Sequence, residues 1–182
     1  MVISRFYDVF TTYKYIPDLK GETNPMISVF NFGWTGALTV QILVLCFLTY
    51  TVYIYCFKTV ETIDIDEKNT LREFVSIFHF NTPNDFLKIL YKLPTNKHSF
   101  LYSMGAIVPK ALIIISLTVG TSTTMLIFNE YYRTIYREYH IPTFLYLTII
   151  VVIITLTVDF YKQERQKGIK NTAANKVQKT QG

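Results

Sequence analysis

The sequence predicts an all-α integral membrane protein, with three transmembrane helices and short amphipathic helices at the membrane interface. Three long apolar stretches carry this prediction, at about residues 34–55, 106–128 and 141–161. Half of the 182 residues are apolar, and only 7 Gly and 6 Pro interrupt them. A bilayer is therefore the expected solvent. Because lipid forces each backbone group to pair within its own segment, the stretches are expected to be helices, and the whole chain, 1–182, forms a single membrane domain.

The N-terminal segment, 1–26, is expected to form a two-sided helix ahead of the first span. Val2, Phe6 and Tyr13 recur near helical spacing with polar residues between them, and Pro17 ends the pattern. Such a helix lies either flat among the lipid headgroups or against a partner subunit, and the sequence supports the two alternatives equally.

Aromatic side chains mark the ends of the first span. Trp34 stands at one end, and Tyr50, Tyr53 and Tyr55 stand at the other. Rings with an apolar body and a polar tip favour the level of the headgroups. The second and third spans flank one short polar stretch, 129–140, which is the pattern of a membrane hairpin.

The segment between the first two spans, 58–99, is expected to contain two short helices. Thr70 and Glu73 have the spacing of a capping box, which predicts the start of the first. A second helix is predicted from Thr82, with Pro83 at its first position, as far as Pro94. Both need a surface for their apolar sides, which is either the bilayer interface or a neighbouring protein.

The distribution of Lys and Arg predicts the orientation of the chain. Basic residues favour the inner side of a membrane, so the two regions richest in them are expected there, which gives an N-out, C-in protein. These residues are Lys58, Lys68, Arg72, Lys88, Lys92 and Lys97 in the inner segment, and Lys162, Arg165, Lys167, Lys170, Lys176 and Lys179 in the basic C-terminal tail, 162–182. The tail is expected to attract anionic headgroups. Nucleic acid is not an expected partner, because no aromatic residues alternate with the cations of the tail.

One charge stands at the far end of each hairpin span, Lys110 in the second and Asp159 in the third. In an antiparallel pair of helices about 27 Å long, the two charges reach the same depth. Each shares a face of its helix with threonines, so we expect two seams that set the register of the pair. A structural or snorkelling role is favoured over a functional one, and Pro109 weakens the helix just before Lys110. The seams contain Lys110, Thr121 and Thr124 on one helix and Asp159, Thr148 and Thr155 on the other.

Small residues predict where further helices pack. Ser116 and Gly120 recur at four-residue spacing in the second span, and Gly33 and Ala37 precede Gln41 in the first. Small side chains let a neighbouring helix approach closely, and hydroxyl and amide groups supply interhelical hydrogen bonds.

The sequence lacks the residue patterns of known catalytic and metal sites. Its 3 His are isolated from one another and from the 2 Cys, so they are interpreted as ordinary polar or interfacial residues. No Gly-rich phosphate loop or nucleophile elbow is present. We therefore expect neither enzymatic activity nor a metal or cofactor.

These features favour an accessory or structural subunit of a larger integral membrane complex, which acts through helix packing with other integral membrane subunits and interfacial contacts with the lipid bilayer. One alternative is a membrane-protein insertase or chaperone, because such proteins use three spans in N-out topology. Another is a non-catalytic subunit of a lipid-modifying enzyme or transporter. An endomembrane location such as the endoplasmic reticulum is favoured over the mitochondrial inner membrane.

Overall fold

The computed structural model describes residues 1–19, 33–58, 63, 65 and 68–180, with side chains described as far as residue 174. Parts of the predicted segments 1–26, 58–99 and 162–182 therefore lie outside the described residues. Every regular element in the described ranges is helical, which confirms the all-α prediction. The elements are α1 (Val2–Tyr15), α2 (Trp34–Phe57), α3 (Leu71–Phe80), a 3-10 helix (Phe86–Leu90), α4 (Lys97–Phe128), α5 (Glu130–Glu138) and α6 (Ile141–Thr180).

Three of these helices are long and apolar enough to cross a membrane, as the sequence predicts. They are α2, α4 and the part of α6 from Ile141 to Ala174, with 24, 32 and 34 residues. At 1.5 Å per residue these stretches are about 36 to 51 Å long, whereas the hydrocarbon core of a bilayer is about 30 Å thick. Each helix therefore has residues to spare beyond the core.

Two of the long helices extend past the predicted spans. The first turn of α4 starts at Lys97, where Oδ1 of Asn96 accepts a hydrogen bond from the Ser99 N–H at 3.1 Å. The helix continues without a break through Pro109. At the other end of the chain, α6 continues from the predicted span into the basic tail, as far as Thr180. The first part of the tail is therefore helical.

The chain divides into two compact units, and the first comprises Met1–Tyr50 and Val108–Ile153. In this unit α1 runs antiparallel to α2, because the Tyr13 ring lies 5.3 Å from that of Trp34 while Arg5 bonds to Gln41, further along α2. The same helix runs parallel to α4. Arg5 bonds to Ser116 and Tyr7 bonds to Thr124, so both helices run in the same direction.

The short helix α5 folds back on the end of α4. Oδ1 of Asn129 accepts a hydrogen bond from the Tyr132 N–H at 2.9 Å, and the Tyr132 hydroxyl bonds to Oγ of Ser122 at 2.9 Å. Arg133 donates from Nε and Nη2 to the Leu126 carbonyl, at 3.3 and 3.0 Å. The guanidinium thereby satisfies a carbonyl that the end of α4 leaves without a helical partner.

The second unit comprises Thr51–Ile107 and Ile154–Gly182, and it contains a small aromatic core. The helix α3 begins with the predicted capping box, which is confirmed: the Glu73 N–H donates to Oγ1 of Thr70 at 3.3 Å, and the Glu73 carboxylate accepts from the Thr70 N–H at 2.8 Å. The bond from the Thr70 backbone lowers the pKa of the Glu73 carboxyl. The buried core residues are Ile65, Phe74, Val75, Phe78, Ala106, Phe160 and Tyr161.

The predicted α-helix from Thr82 to Pro94 is wrong in type and in bounds. The structure has a 3-10 helix at Phe86–Leu90. Oγ of Ser76 donates to the Thr82 carbonyl at 2.6 Å and accepts from the Asp85 N–H at 2.8 Å. Oγ1 of Thr82 donates to the Asp85 carboxylate at 2.6 Å. These bonds hold residues 82–85 as a turn against α3, so a helix cannot begin there.

Candidate functional site

A polar cluster centred on Arg5 lies among the apolar helices of the first unit. Nε of Arg5 donates to Oε1 of Gln41 in α2 at 3.1 Å, and Nη1 donates to Oγ of Ser116 in α4 at 3.1 Å. Nη1 also lies 2.9 Å from Oδ2 of Asp8, with side-chain exposures of 15% for Arg5 and 14% for Asp8. One guanidinium therefore joins α1, α2 and α4. Since burying charge among apolar helices is costly, such a group is by default a candidate for function or for structural specificity.

Two residues after the arginine, Tyr7 packs into space that Gly120 leaves open. A Cβ atom added to Gly120 would lie 2.5 Å from Cε1 of Tyr7. The Tyr7 hydroxyl forms a hydrogen bond of 2.7 Å with Oγ1 of Thr124. The small-residue stripe of α4 thus contacts the N-terminal helix of the same chain.

The polarity of α1 is inverted relative to a helix on the surface of a soluble protein. Ser4 and Thr11 are buried on the side that also carries Arg5 and Asp8. The opposite side exposes the apolar residues Val2, Ile3, Phe6, Phe10 and Tyr13, with Ile3 exposed by 86%. The sequence predicts a helix with two sides, which lies among headgroups or against a partner subunit, whereas in the structure α2 and α4 of this chain cover its polar side.

Arg5 and Asp8 are absent from the predicted site residues, although the sequence contains one signal for them. Gln41 is a strongly polar side chain within an apolar span, and such a group needs a polar partner in lipid. The other two residues of its predicted stripe differ in their surroundings. An added Cβ at Gly33 meets no atom within 4 Å, and Ala37 is half-buried.

The two predicted threonine seams are mostly exposed. Lys110 and Thr121 are exposed in α4, and Thr148 is exposed in α6 with its hydroxyl donating to the Phe144 carbonyl at 2.9 Å. Thr124 differs, since it bonds to Tyr7 as described. Asp159 and Thr155 are exposed in the second unit, whereas Lys110 belongs to the first, so their pairing stays a prediction.

In the second unit, His79 is a core residue rather than the interfacial histidine that the sequence suggests. Its side chain is 1% exposed, and Nε2 forms a hydrogen bond of 2.5 Å with the Tyr161 hydroxyl. Burial lowers the pKa of His79 to about 4, so the ring is neutral at physiological pH. Nδ1 has no hydrogen-bond partner. The neutral imidazole connects α3 to α6 in an otherwise aromatic core.

The 3-10 helix and the residues directly after it expose apolar side chains. Leu87, Leu90, Tyr91 and Leu93 are all exposed, and Tyr91 is exposed by 76%. They form what we call the 87–93 face. On the opposite side of this segment, Phe86 and Ile89 pack against the aromatic core. This segment lies outside the three helices that are long and apolar enough to cross a membrane.

Within the described residues, no group of three or more His, Cys, Asp or Glu side chains is arranged to hold a metal ion. Comparisons with protein-family models, curated proteins and solved structures give no match to this chain. A functional hypothesis for the chain therefore depends on the polar cluster around Arg5, on the buried His79 and on the exposed surfaces described above.

Proposed function

We propose that the chain is an integral membrane protein that acts as an accessory, structural subunit of a larger membrane complex. The 87–93 face is the observation that carries the proposal. The three long apolar helices and the apolar side of α1 present surfaces that suit lipid tails, whereas the 87–93 face lies in the segment between α3 and α4. Exposed apolar patches of this kind mark sites of interaction.

The inverted polarity of α1 supports the membrane part of the proposal. In water, this helix would expose hydrocarbon and bury Arg5 and Asp8, which is unfavourable on both sides. In a bilayer, the same arrangement places apolar side chains against lipid tails and pairs the charges away from them. Lipid is therefore the solvent in which this packing is most stable.

The proposed orientation is N-out and C-in, from the distribution of basic residues. It places Trp34 at the outer boundary together with Pro17, whose carbonyl accepts a hydrogen bond from Nε1 of Trp34 at 2.7 Å. From there α1 extends back into the bilayer, to the depth of Gln41. An endomembrane location remains the favoured compartment.

We propose a neighbouring membrane subunit as the partner of the 87–93 face. Four large apolar side chains are exposed within seven residues, and Lys88 among them is paired with Asp85 at 2.7 Å. The packing of α1 supports this choice of surface. It covers Ser116 and Gly120 of one predicted stripe and Gln41 of the other, so these residues are already in contact with this chain's own α1.

Site-specific photo-crosslinking in native membranes tests the proposal. A photoreactive residue is placed at Tyr91, and the matched control places it at Tyr131, which is also 76% exposed. We expect Tyr91 to crosslink to one protein in constant ratio to this chain, and Tyr131 not to crosslink to it. Leu90→Ser combined with Leu93→Ser should abolish the crosslink, whereas Tyr131→Ser should not.

Two results would contradict the proposed function. One is crosslinking of position 91 to lipid alone, which would make the face a membrane-interface anchor. The other is a native mass of a single chain of 21.2 kDa, with no companion, after extraction in a mild detergent.

A further inference from the structure

A cleft in the first unit lies between α1, the end of α4, and α5. It has a volume of about 800 Å³, and its walls include Val119, Leu126 and Ile127 of α4. This volume is within the range of about 300 to 1,000 Å³ that small-molecule sites occupy. The proposed function assigns no role to this cleft.

The lining of the cleft includes three cations. They are Lys14 from α1 and Arg133 and Arg137 from α5, and Asp18 adds one carboxylate. Arg133 is fixed in place because its Nε and Nη2 groups both donate to the Leu126 carbonyl, whereas Nη1 takes no part in these two bonds. Lys14 and Arg137 are exposed, and Nζ of Lys14 lies 5.8 Å from the centre of the Phe10 ring. The lining therefore carries more positive than negative side chains.

The apolar and the cationic residues of the lining lie at different levels along α4. Val119 and Leu126 are seven residues apart, which corresponds to about 10 Å of helix. The cations come from α5 and from the C-terminal end of α1, beside the end of α4, whereas Val119 lies further down the apolar helix. A ligand that fits this lining has an anionic head and an apolar body.

We propose that this cleft binds an anionic phospholipid, with its phosphate among Lys14, Arg133 and Arg137 and part of an acyl chain along Val119, Leu126 and Ile127. The inference rests on the membrane embedding proposed above, because the acyl chain must enter from the bilayer. Charge complementarity selects an anionic over a zwitterionic headgroup, since basic side chains near a membrane attract anionic lipid.

Fluorescence of Trp34 tests the proposal directly. Trp34 is the chain's single tryptophan, and its indole N–H donates to the carbonyl of Pro17, which lines the cleft. The full chain is reconstituted in vesicles that contain phosphatidylglycerol or phosphatidylcholine with brominated acyl chains, which quench nearby tryptophan. We expect the brominated phosphatidylglycerol to quench Trp34 at a lower mole fraction than the brominated phosphatidylcholine.

The variants Lys14→Gln and Arg137→Gln identify the cations responsible. Each should lower the preference for phosphatidylglycerol about fivefold, the factor expected for one basic residue near an anionic lipid surface. Arg133 is left intact because it also holds the end of α4. The matched control is Lys162→Gln with Lys170→Gln, which removes two exposed cations of α6 and should leave the preference unchanged.

Three outcomes would overturn the proposal. Equal quenching by the two lipids in the unmodified chain would show that the cleft does not select anionic headgroups. Loss of the preference in the Lys162 and Lys170 variant would assign it to the basic tail. A change in Trp34 emission on addition of millimolar inorganic phosphate, in a chain that shows no preference between the two lipids, would show that the site binds free phosphate instead of lipid. Failure of membrane embedding is distinguishable, because neither brominated lipid would then quench Trp34.

Discussion

At the scale of single residues, Arg5 joins three helices of the first unit. Its guanidinium donates hydrogen bonds to acceptors on three helices, and one of these acceptors is the carboxylate of Asp8 at 2.9 Å. We predict that Arg5→Met lowers the free energy of unfolding by about 3 kcal/mol, because removing one partner leaves the other charge in a poorly solvated site. Equilibrium unfolding in detergent, followed by circular dichroism, measures this loss.

A double-mutant cycle separates the ion pair from general damage. Asp8→Leu together with Arg5→Met should cost less than the sum of the two single changes, because the double variant leaves no uncompensated member of this pair. Arg137→Met, at an exposed arginine, should have little effect. Additive losses at positions 5 and 8 would show that the two charges do not stabilise each other.

His79 predicts how the stability of the fold changes with pH. Its pKa is about 4 in the fold and 6.5 as an ordinary histidine, so between these values the unfolded chain binds more protons than the folded one. Stability is then greatest above pH 6.5 and falls as the pH drops towards 4, by about 3 kcal/mol over the full window. Unfolding experiments across this pH range measure the slope.

Substitution of this histidine should remove the slope. His79→Phe keeps a ring in the aromatic core but cannot take up a proton, so the decline between pH 6.5 and 4 should largely disappear. The control is His98→Gln, since His98 is exposed. A slope that persists in His79→Phe would mean that another group causes it.

At the scale of elements, the three spans were predictable because each contains a long apolar run, and α3 was predictable from its capping box. The packing of α1 was not. Periodicity gives a helix two faces, but it does not say which face is buried when the solvent is lipid. The 3-10 helix escaped prediction for another reason. The turn before it depends on Ser76, six residues before Thr82, which no local helix signal reveals.

The contact between α1 and α4 depends on the absence of a side chain at Gly120. We predict that Gly120→Ala destabilises the first unit by about 1 to 3 kcal/mol, the usual cost of overpacking. The new Cβ would lie 2.5 Å from the Tyr7 ring, which must shift and lengthen its bond to Thr124. Thermal unfolding measures the loss of stability, and hydrogen exchange in α1 shows where it occurs.

Gly33→Ala is the matched control for this substitution. An added methyl group there meets nothing within 4 Å, so it should be neutral. If both alanines prove neutral, then α1 does not pack against Gly120 in the membrane. If both destabilise, the effect of alanine at position 120 does not come from contact with Tyr7.

At the scale of the whole molecule, if the three long apolar helices cross a membrane as proposed, the segments that connect them must alternate between its two sides. The helix α1 does not add a crossing. It lies beside α2 only between Gln41, which bonds to Arg5, and Trp34, which bonds to Pro17. The 58–96 segment and the C-terminal part of α6 are then expected on one side, and α5 on the other. The basic residues assign the former to the inner side.

Cysteine labelling in sealed membranes measures this topology. In a background with Cys46→Ser and Cys56→Ser, single cysteines are placed at Asn84, Thr134 and Asn171, which are all exposed. We predict that a membrane-impermeant maleimide added outside labels position 134 at once, and labels positions 84 and 171 only after the membrane is permeabilised. Labelling of 84 and 171 alone from outside would keep the three spans but reverse the orientation. Labelling of all three positions from outside would exclude three spans, because an odd number of crossings must separate position 84 from position 134.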